Sequence, residues 1–241
     1  MTDGARLVDG GDVTERVLRA AEGPHGSKPV PWAAAPLLTA ERVLDLCCGS
    51  GPLADALPTG RWLGVDPRAP LGGRRPVLRG AADAIPLRSR AVDGVALMLA
   101  LPRLPDLDRL FAEVRRVLRP SGTLVILVPS AVPGSAAELR LAPLLSAVHR
   151  SGWLHRSALD RTGWLLAAAD YAVLSDDRVC FSLPLPDADA AHALVADLPR
   201  AGLWPPDLPD AVRARAAARL ARRAGPGRTL PLPLRRLVAR R

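Results

Sequence analysis

The sequence predicts an α/β fold, a doubly wound parallel sheet with helices on both faces. Three observations lead there. Short apolar runs of strand length alternate with segments whose apolar residues recur at helical spacing. The run Val95–Leu101 is apolar without interruption, as in a strand covered on both faces. The run Val43–Leu46 carries an acid and empties into a glycine cluster, so its end presents backbone N–H groups with few side chains in the way.

Taken in order, residues 1–40 read as a helix over Asp12–Ala21 and a Pro/Gly-rich loop over Gly23–Pro36. Val43–Leu46 is the first strand, and Pro52–Leu57 starts a helix with proline where its missing N–H costs nothing. Trp62–Val65 and Val77–Leu78 are the next strands, and Val95–Leu101 the fourth. Asp106–Leu118 is a helix: Leu107, Leu110, Phe111, Val114 and Leu118 form one face, Asp106 caps it, and Arg115, Arg116 and Arg119 suit its C-terminal dipole. Pro120-Ser121-Gly122 stops it before a strand over Thr123–Val128. Beyond Pro129 the pattern predicts a helix over Ala136–His149 interrupted by Pro143, and a second over Ser157–Ala169 capped by Ser157. A strand over Val173–Leu183 turning at Asp176-Asp177 follows, then helices over Ala188–Leu198 and Ala211–Ala224. Thr229–Ala239 alternates like a strand, but Pro231 and Pro233 argue against a central one.

Composition narrows the function. The chain has 241 residues, 49% of them hydrophobic, enough for one domain with a real core. The net charge of +9 is concentrated: residues 211–241 hold ten of the 33 basic residues and no acid, while the remainder balances to −1. A basic end can mark a nucleic-acid or anionic-membrane partner, or simply a solvated face. The start of the chain lacks a signal-peptide pattern, and the apolar runs are too short to span a bilayer, which predicts a cytoplasmic protein with no membrane partner. Three cysteines, two of them adjacent (Cys47, Cys48), make no disulfide framework, and no spacing of Cys and His suggests a metal site.

Two acids stand where chemistry is expected. Asp45 precedes Cys47-Cys48-Gly49-Ser50-Gly51; beside a pyrophosphate it would repel, whereas beside an α-amino group it would pair. Asp66 closes the second strand, where a carboxylate accepts from ribose hydroxyls. The string Gly49-Ser50-Gly51-Pro52-Leu53-Ala54 also fits a loose dinucleotide fingerprint, so an NAD(P) oxidoreductase is a rival on this motif alone.

Residues 41–129 resemble the class I S-adenosylmethionine-dependent methyltransferases, in particular the methyltransferase type 11 group. The D-x-G-x-G-x-G motif of that family falls on Asp45, Cys47, Gly49 and Gly51, and its ribose acid on Asp66. Its G-D-A-x-x-L-P string aligns with Gly80–Pro86, its fourth strand with Val92–Met98, and its L-P-D string with Leu104-Pro105-Asp106. Its V-L-R-P-G-G-x-L pattern aligns with Val117–Leu124. The resemblance implies a Rossmann-like, mostly parallel seven-stranded sheet ending in an antiparallel strand, with a cofactor half (41–129) and a substrate-side half (130–241) that includes a helical lid. It implies S-adenosylmethionine as cofactor, lined by Asp45, Cys47, Gly49, Gly51, Asp66, Ala82, Asp83 and Met98.

The chain departs from the family in three places. Cys47 replaces the first glycine, Ala81 stands where the adenine-binding Asp is usual, and Pro102-Arg103 replaces a frequent His-His. Candidate bases are His149 and His155, with His155 favoured, and Arg103 is a candidate anchor for an anionic substrate. Methyl transfer to a small molecule is the leading reading. A methyltransferase-like protein that only binds, and a nucleic-acid methyltransferase using the Arg-rich end, stand beside it.

Overall fold

The computed structural model describes residues 5–69, 75–130, 139, 143, 144, 146, 148 and 152–241, with side chains described from residue 13 onward. A single sheet of seven strands runs in the order β3-β2-β1-β4-β5-β7-β6. Its strands are β1 (Val43–Leu46), β2 (Trp62–Asp66), β3 (Val77–Arg79), β4 (Val92–Met98), β5 (Leu118–Pro129), β6 (Ala172–Pro184) and β7 (Thr229–Arg240). The pairs among β1 to β5 are all parallel, and β7 runs antiparallel to both its neighbours. The helices are α1 (Ala5–Ala20), α2 (Pro29–Ala34), α3 (Leu107–Val117), α4 (Ser157–Asp160), α5 (Thr162–Ala168), α6 (Ala188–Arg200) and α7 (Asp210–Ala221).

The alternation of side chains along β5 shows why both faces are covered. Leu124, Ile126 and Val128 pack in one cluster with Leu110, Phe111 and Val114 of α3 and with Leu166 of α5. Val125 and Leu127 point the other way, toward clusters containing Leu37 beyond α2, Leu18 of α1, Leu198 of α6 and Leu220 of α7. The helix α3 keeps its expected cap and apolar face: the Asp106 carboxylate accepts from the Arg109 N–H at 2.9 Å, and Leu107, Leu110, Phe111 and Val114 are buried. It ends at Val117, however, and Leu118 and Arg119 open β5, which runs through Pro120-Ser121-Gly122 instead of starting at Thr123.

Several elements differ from the sequence expectation. The first helix begins at Ala5, earlier than Asp12, and Pro29–Ala34 is helical within the expected loop. Pro52–Ala56 is a 3-10 turn. The helix expected over Ser157–Ala169 breaks at Arg161 into α4 and α5, and Ser157 is the first helical residue, not the cap. Of the helix expected over Ala136–His149 only residues 139, 143, 144, 146 and 148 are described, all of them helical, and most of the lid lies outside the described residues.

The largest correction concerns the last two strands. β6 is continuous through Asp176 and Asp177, because Arg235 and Arg236 of β7 pair with those acids at 2.5 and 2.8 Å. β7 is interior to the sheet despite its prolines. Its pairing with β5 ends at Leu234, opposite Pro129. The Pro233 carbonyl accepts from the Ser130 N–H at 2.9 Å, so that residue turns its backbone polar edge toward the β5 side, where β5 has already ended. Pro231, two residues away, turns the same edge the same way, and neither missing N–H is needed by β6.

Candidate functional site

The parallel strands β1, β2 and β4 bring their C-terminal ends together, and Asp45, Cys47, Gly49, Gly51, Asp66 and Met98 lie there. The chain leaving β1 turns through three left-handed residues, Cys47 (φ 57°), Gly49 (55°) and Gly51 (75°). The Cys47 N–H donates to the Val65 carbonyl at 2.8 Å, tying the loop to β2. Gly51 has two reasons to be glycine: its positive φ, and the Trp62 ring, which would stand 2.8 Å from an added Cβ.

Asp66 closes the loop from the neighbouring strand. Its two carboxylate oxygens accept from the Gly49 N–H at 3.0 Å and the Arg68 N–H at 2.8 Å. It therefore shapes the glycine loop, and each oxygen keeps a lone pair for a further donor.

Asp45 is 1% exposed. One oxygen accepts from the Trp62 indole N–H at 3.1 Å; the other, Oδ1, is buried and has no hydrogen-bond partner. Burial raises its carboxyl from the ordinary 3.8 to about 7; the Trp62 bond opposes that rise, the nearby Asp66 charge adds to it, and the Arg75 charge lowers it. A buried carboxylate oxygen without a donor is costly, and a cationic donor beside it would restore the charged form. These features fit S-adenosylmethionine: an unsatisfied acceptor for its ammonium group, a loop with glycine at 49 and 51, and a second acid on the adjacent strand for the ribose.

The sequence missed two supports of this arrangement. Trp62 orients Asp45, and Arg75 donates to the Ser50 carbonyl at 3.2 Å, to the Gly51 carbonyl and, bidentately at 2.9 Å, to Asp55. Neither belongs to a motif. An indole opening a strand two residues before a glycine was the available signal for Trp62.

The other candidates are placed as follows. Ala81–Ala84 form a tight turn after β3, with Ala82 buried and Asp83 half-buried. Met98 ends β4 and packs against two of the core clusters. Arg103 lies in the 3-10 turn after β4 and acts electrostatically on Cys47, as does Arg68. Burial, with Asp66 and Asp45 nearby, pushes the Cys47 thiol up to about 12, so it is neutral at physiological pH. His155 sits against the same turn: its N–H donates to the Pro102 carbonyl at 3.0 Å, and its Nε2 lies 3.3 Å from the Pro105 carbonyl. A carbonyl only accepts, so this contact assigns the proton to Nε2 and leaves Nδ1 as the basic nitrogen. His149 lies outside the described residues. Among the described residues no group of three or more His, Cys, Asp or Glu could hold a metal ion, and no helix is long and apolar enough to cross a membrane.

Residues 44–126 match a family described as "Methyltransferase domain". The chain is 33% identical over 106 residues to demethylmenaquinone methyltransferase of Lactiplantibacillus plantarum, spanning 36% of this chain and 45% of the relative. It is 34% identical over 116 residues to 2-phytyl-1,4-naphtoquinone methyltransferase of Synechococcus elongatus, spanning 41% of this chain and 49% of the relative. The chain thus spans under half the length of the curated relatives it matches. Among solved structures, a SAM-dependent methyltransferase from Thermotoga maritima superposes with a TM-score of 0.55 at 14% identity, covering 98% of this chain and 96% of that one. The [4+2]-cyclase SpnF superposes with a TM-score of 0.53 at 18% identity, covering 88% and 79%. The shared architecture therefore carries more than one reaction, and the chemistry has to be argued from the site.

Proposed function

We propose S-adenosylmethionine-dependent methyl transfer to a small-molecule acceptor, on the match of residues 44–126 to a methyltransferase domain family and on a sheet whose architecture is shared with solved methyltransferases. The observation that carries this reading is the orphaned Oδ1 of Asp45, buried beside the glycine loop. A dinucleotide would bring phosphate to that carboxylate, whereas S-adenosylmethionine brings an ammonium group. When bound, the cofactor supplies an electrophilic methyl group on a good leaving group. The protein is left with orientation and, where the acceptor carries a proton, its removal.

Each residue then has a task. Asp45 pairs with the ammonium, and Trp62 fixes the direction from which it does so. The Gly49–Gly51 backbone admits the aliphatic chain, and Asp66 holds the loop while accepting from the ribose hydroxyls. Ala81 offers no acceptor to the adenine amino group, which leaves Asp83 in the same turn as the nearest side chain able to take that part. Nδ1 of His155 is the basic group next to the turn after β4. Relatives named for quinone substrates support a small-molecule acceptor.

Calorimetry with S-adenosylmethionine, S-adenosylhomocysteine and NADPH in parallel tests the reading. S-Adenosylhomocysteine is expected to bind, NADPH is not, and Asp45→Asn or Asp66→Ala should each lose about 1.5–3 kcal/mol of binding. Binding of NADPH in place of S-adenosylhomocysteine sinks the assignment.

A further inference from the structure

Arg103 is a half-buried guanidinium at the end of β4 that, among the described residues, makes no side-chain hydrogen bond and no ion pair. Its surroundings deny it a counter-charge. Cys47 on one side stays a neutral thiol, and the charge of Arg68 repels it. Burial depresses its affinity for a proton, yet a guanidinium remains charged in a protein. Other arginines withdrawn from water are engaged: Arg116 pairs with Glu113, Arg235 with Asp176 and Arg236 with Asp177, while Arg61 and Arg115 donate to backbone carbonyls. A desolvated, uncompensated cation is a cost that folding alone does not require.

The space it occupies is kept open from the other half of the chain. Gly202, in the turn after α6, has φ 76°, and a Cβ there would lie 2.9 Å from Arg103 Nη2 and 2.6 Å from the Leu99 carbonyl. Glycine at 202 thus admits the guanidinium between the glycine loop and the substrate-side half. The same turn after β4 bears the His155 contacts through Pro102 and Pro105.

We propose that Arg103 recognises the methyl acceptor, holding an oxyanion of it, a carboxylate or a phosphate, in the fork of the guanidinium. The acceptor is then an anionic small molecule, and Arg68 adds a second positive charge at the same place. A planar fork suits both oxyanions bidentately, which a lysine would not reproduce. This proposal rests on the methyltransferase reading, since it takes the cofactor site to lie across the glycine loop from Arg103.

The test uses the full chain saturated with S-adenosylhomocysteine and titrated at constant ionic strength with benzoate, phenyl phosphate and neutral benzamide, followed by melting temperature and calorimetry. The wild type should bind one of the two anions at least tenfold more tightly than benzamide, and which one identifies the oxyanion. Arg103→Met should lose that preference to within about threefold, bind S-adenosylhomocysteine as the wild type does, and melt no lower than the wild type without anion. Arg103→Lys, which keeps the charge without the fork, should fall between. No anion preference in the wild type, or a preference that survives Arg103→Met, overturns the proposal. A tenfold loss of S-adenosylhomocysteine affinity in Arg103→Met also overturns it, because Arg103 would then serve the cofactor. Failure of the wild type to bind S-adenosylhomocysteine is a different result: it removes the methyltransferase reading, while the anion titration of the unliganded protein still decides whether Arg103 is an oxyanion site.

Discussion

A single carboxyl links ligand binding to acidity in this protein. With Asp45 raised to about 7 in the free protein, a ligand ammonium must displace a proton whenever the pH is lower. S-Adenosylhomocysteine affinity should therefore fall by up to about tenfold per pH unit below 7 and level off above it, with proton release on binding. The stability effect has the opposite sense to that of an ordinary acid. The folded protein holds the Asp45 proton more tightly than the unfolded chain, so its contribution declines as pH rises from about 4 to 7. Asp45→Asn should melt higher than the wild type at pH 8, match it near pH 4, and bind the ligand poorly at both. Equal melting at pH 8 would mean that Asp45 is not the desolvated group. At Cys47, a left-handed backbone costs a side-chain-bearing residue about 1–2 kcal/mol, against about 0.5–1 kcal/mol that glycine gives up in the unfolded chain. Cys47→Gly should thus raise the melting temperature by about 1–3 °C; a fall would show that the thiol packs better than its strain costs. Both acids were legible in the sequence because strand ends announce them. Trp62 and Arg75 were not, since both act through hydrogen bonds to residues 17 to 25 positions away that belong to no motif.

Among elements, α3 was legible from local rules, whereas the course of β6 and the interior place of β7, which depend on cross-strand pairing, were not. α3 carries its cap, its apolar face and its basic end within one segment, and the structure reproduces them as far as Val117, with Leu118 and Arg119 passing into β5. An Asp-Asp pair looks like a turn, and a strand with two prolines looks like an edge, until the partner strand is known. Arg235 is 4% exposed, and besides Asp176 it donates to the Leu159 carbonyl at 2.9 Å. Arg235→Leu should cost about 2–3 kcal/mol in chemical denaturation, below the full penalty for a broken buried pair because Asp176 keeps a third of its side chain in water. Arg215→Gln, on the exposed side of α7, should stay within about 0.5 kcal/mol. Similar losses at the two positions would remove the β6–β7 ion pairs from any structural role.

Over the whole molecule, the excess positive charge divides into arginines that hold the sheet together and arginines that face water. Arg235 and Arg236 are engaged with β6, and Arg236 also lies 4.7 Å over the Trp32 ring, whereas Arg215, Arg222 and Arg223 are exposed on or just beyond α7. Residues 211–241 hold no aromatic side chain to stack bases, and we propose that this basic end makes no extended nucleic-acid groove. RNA and duplex DNA should bind weakly at low salt and be released near physiological salt. A variant with Arg215, Arg219, Arg222 and Arg223 changed to Gln should lose even that. Binding that persists at physiological salt in the wild type and vanishes in the variant would point to a nucleic-acid acceptor. The position of β7 has a further consequence, for the order in which the chain can fold. β6 is made before β7 yet reaches the sheet only through it, since β7 lies between β5 and β6. While a ribosome is still translating the segment from Thr229 onward, β5 has an open edge, and β6 with its exposed Val173 and Leu174 has no strand to pair with. Completion of the sheet therefore waits for its most C-terminal strand to be inserted between two others, a late and non-local event that favours slow folding and a need for protection from aggregation during synthesis.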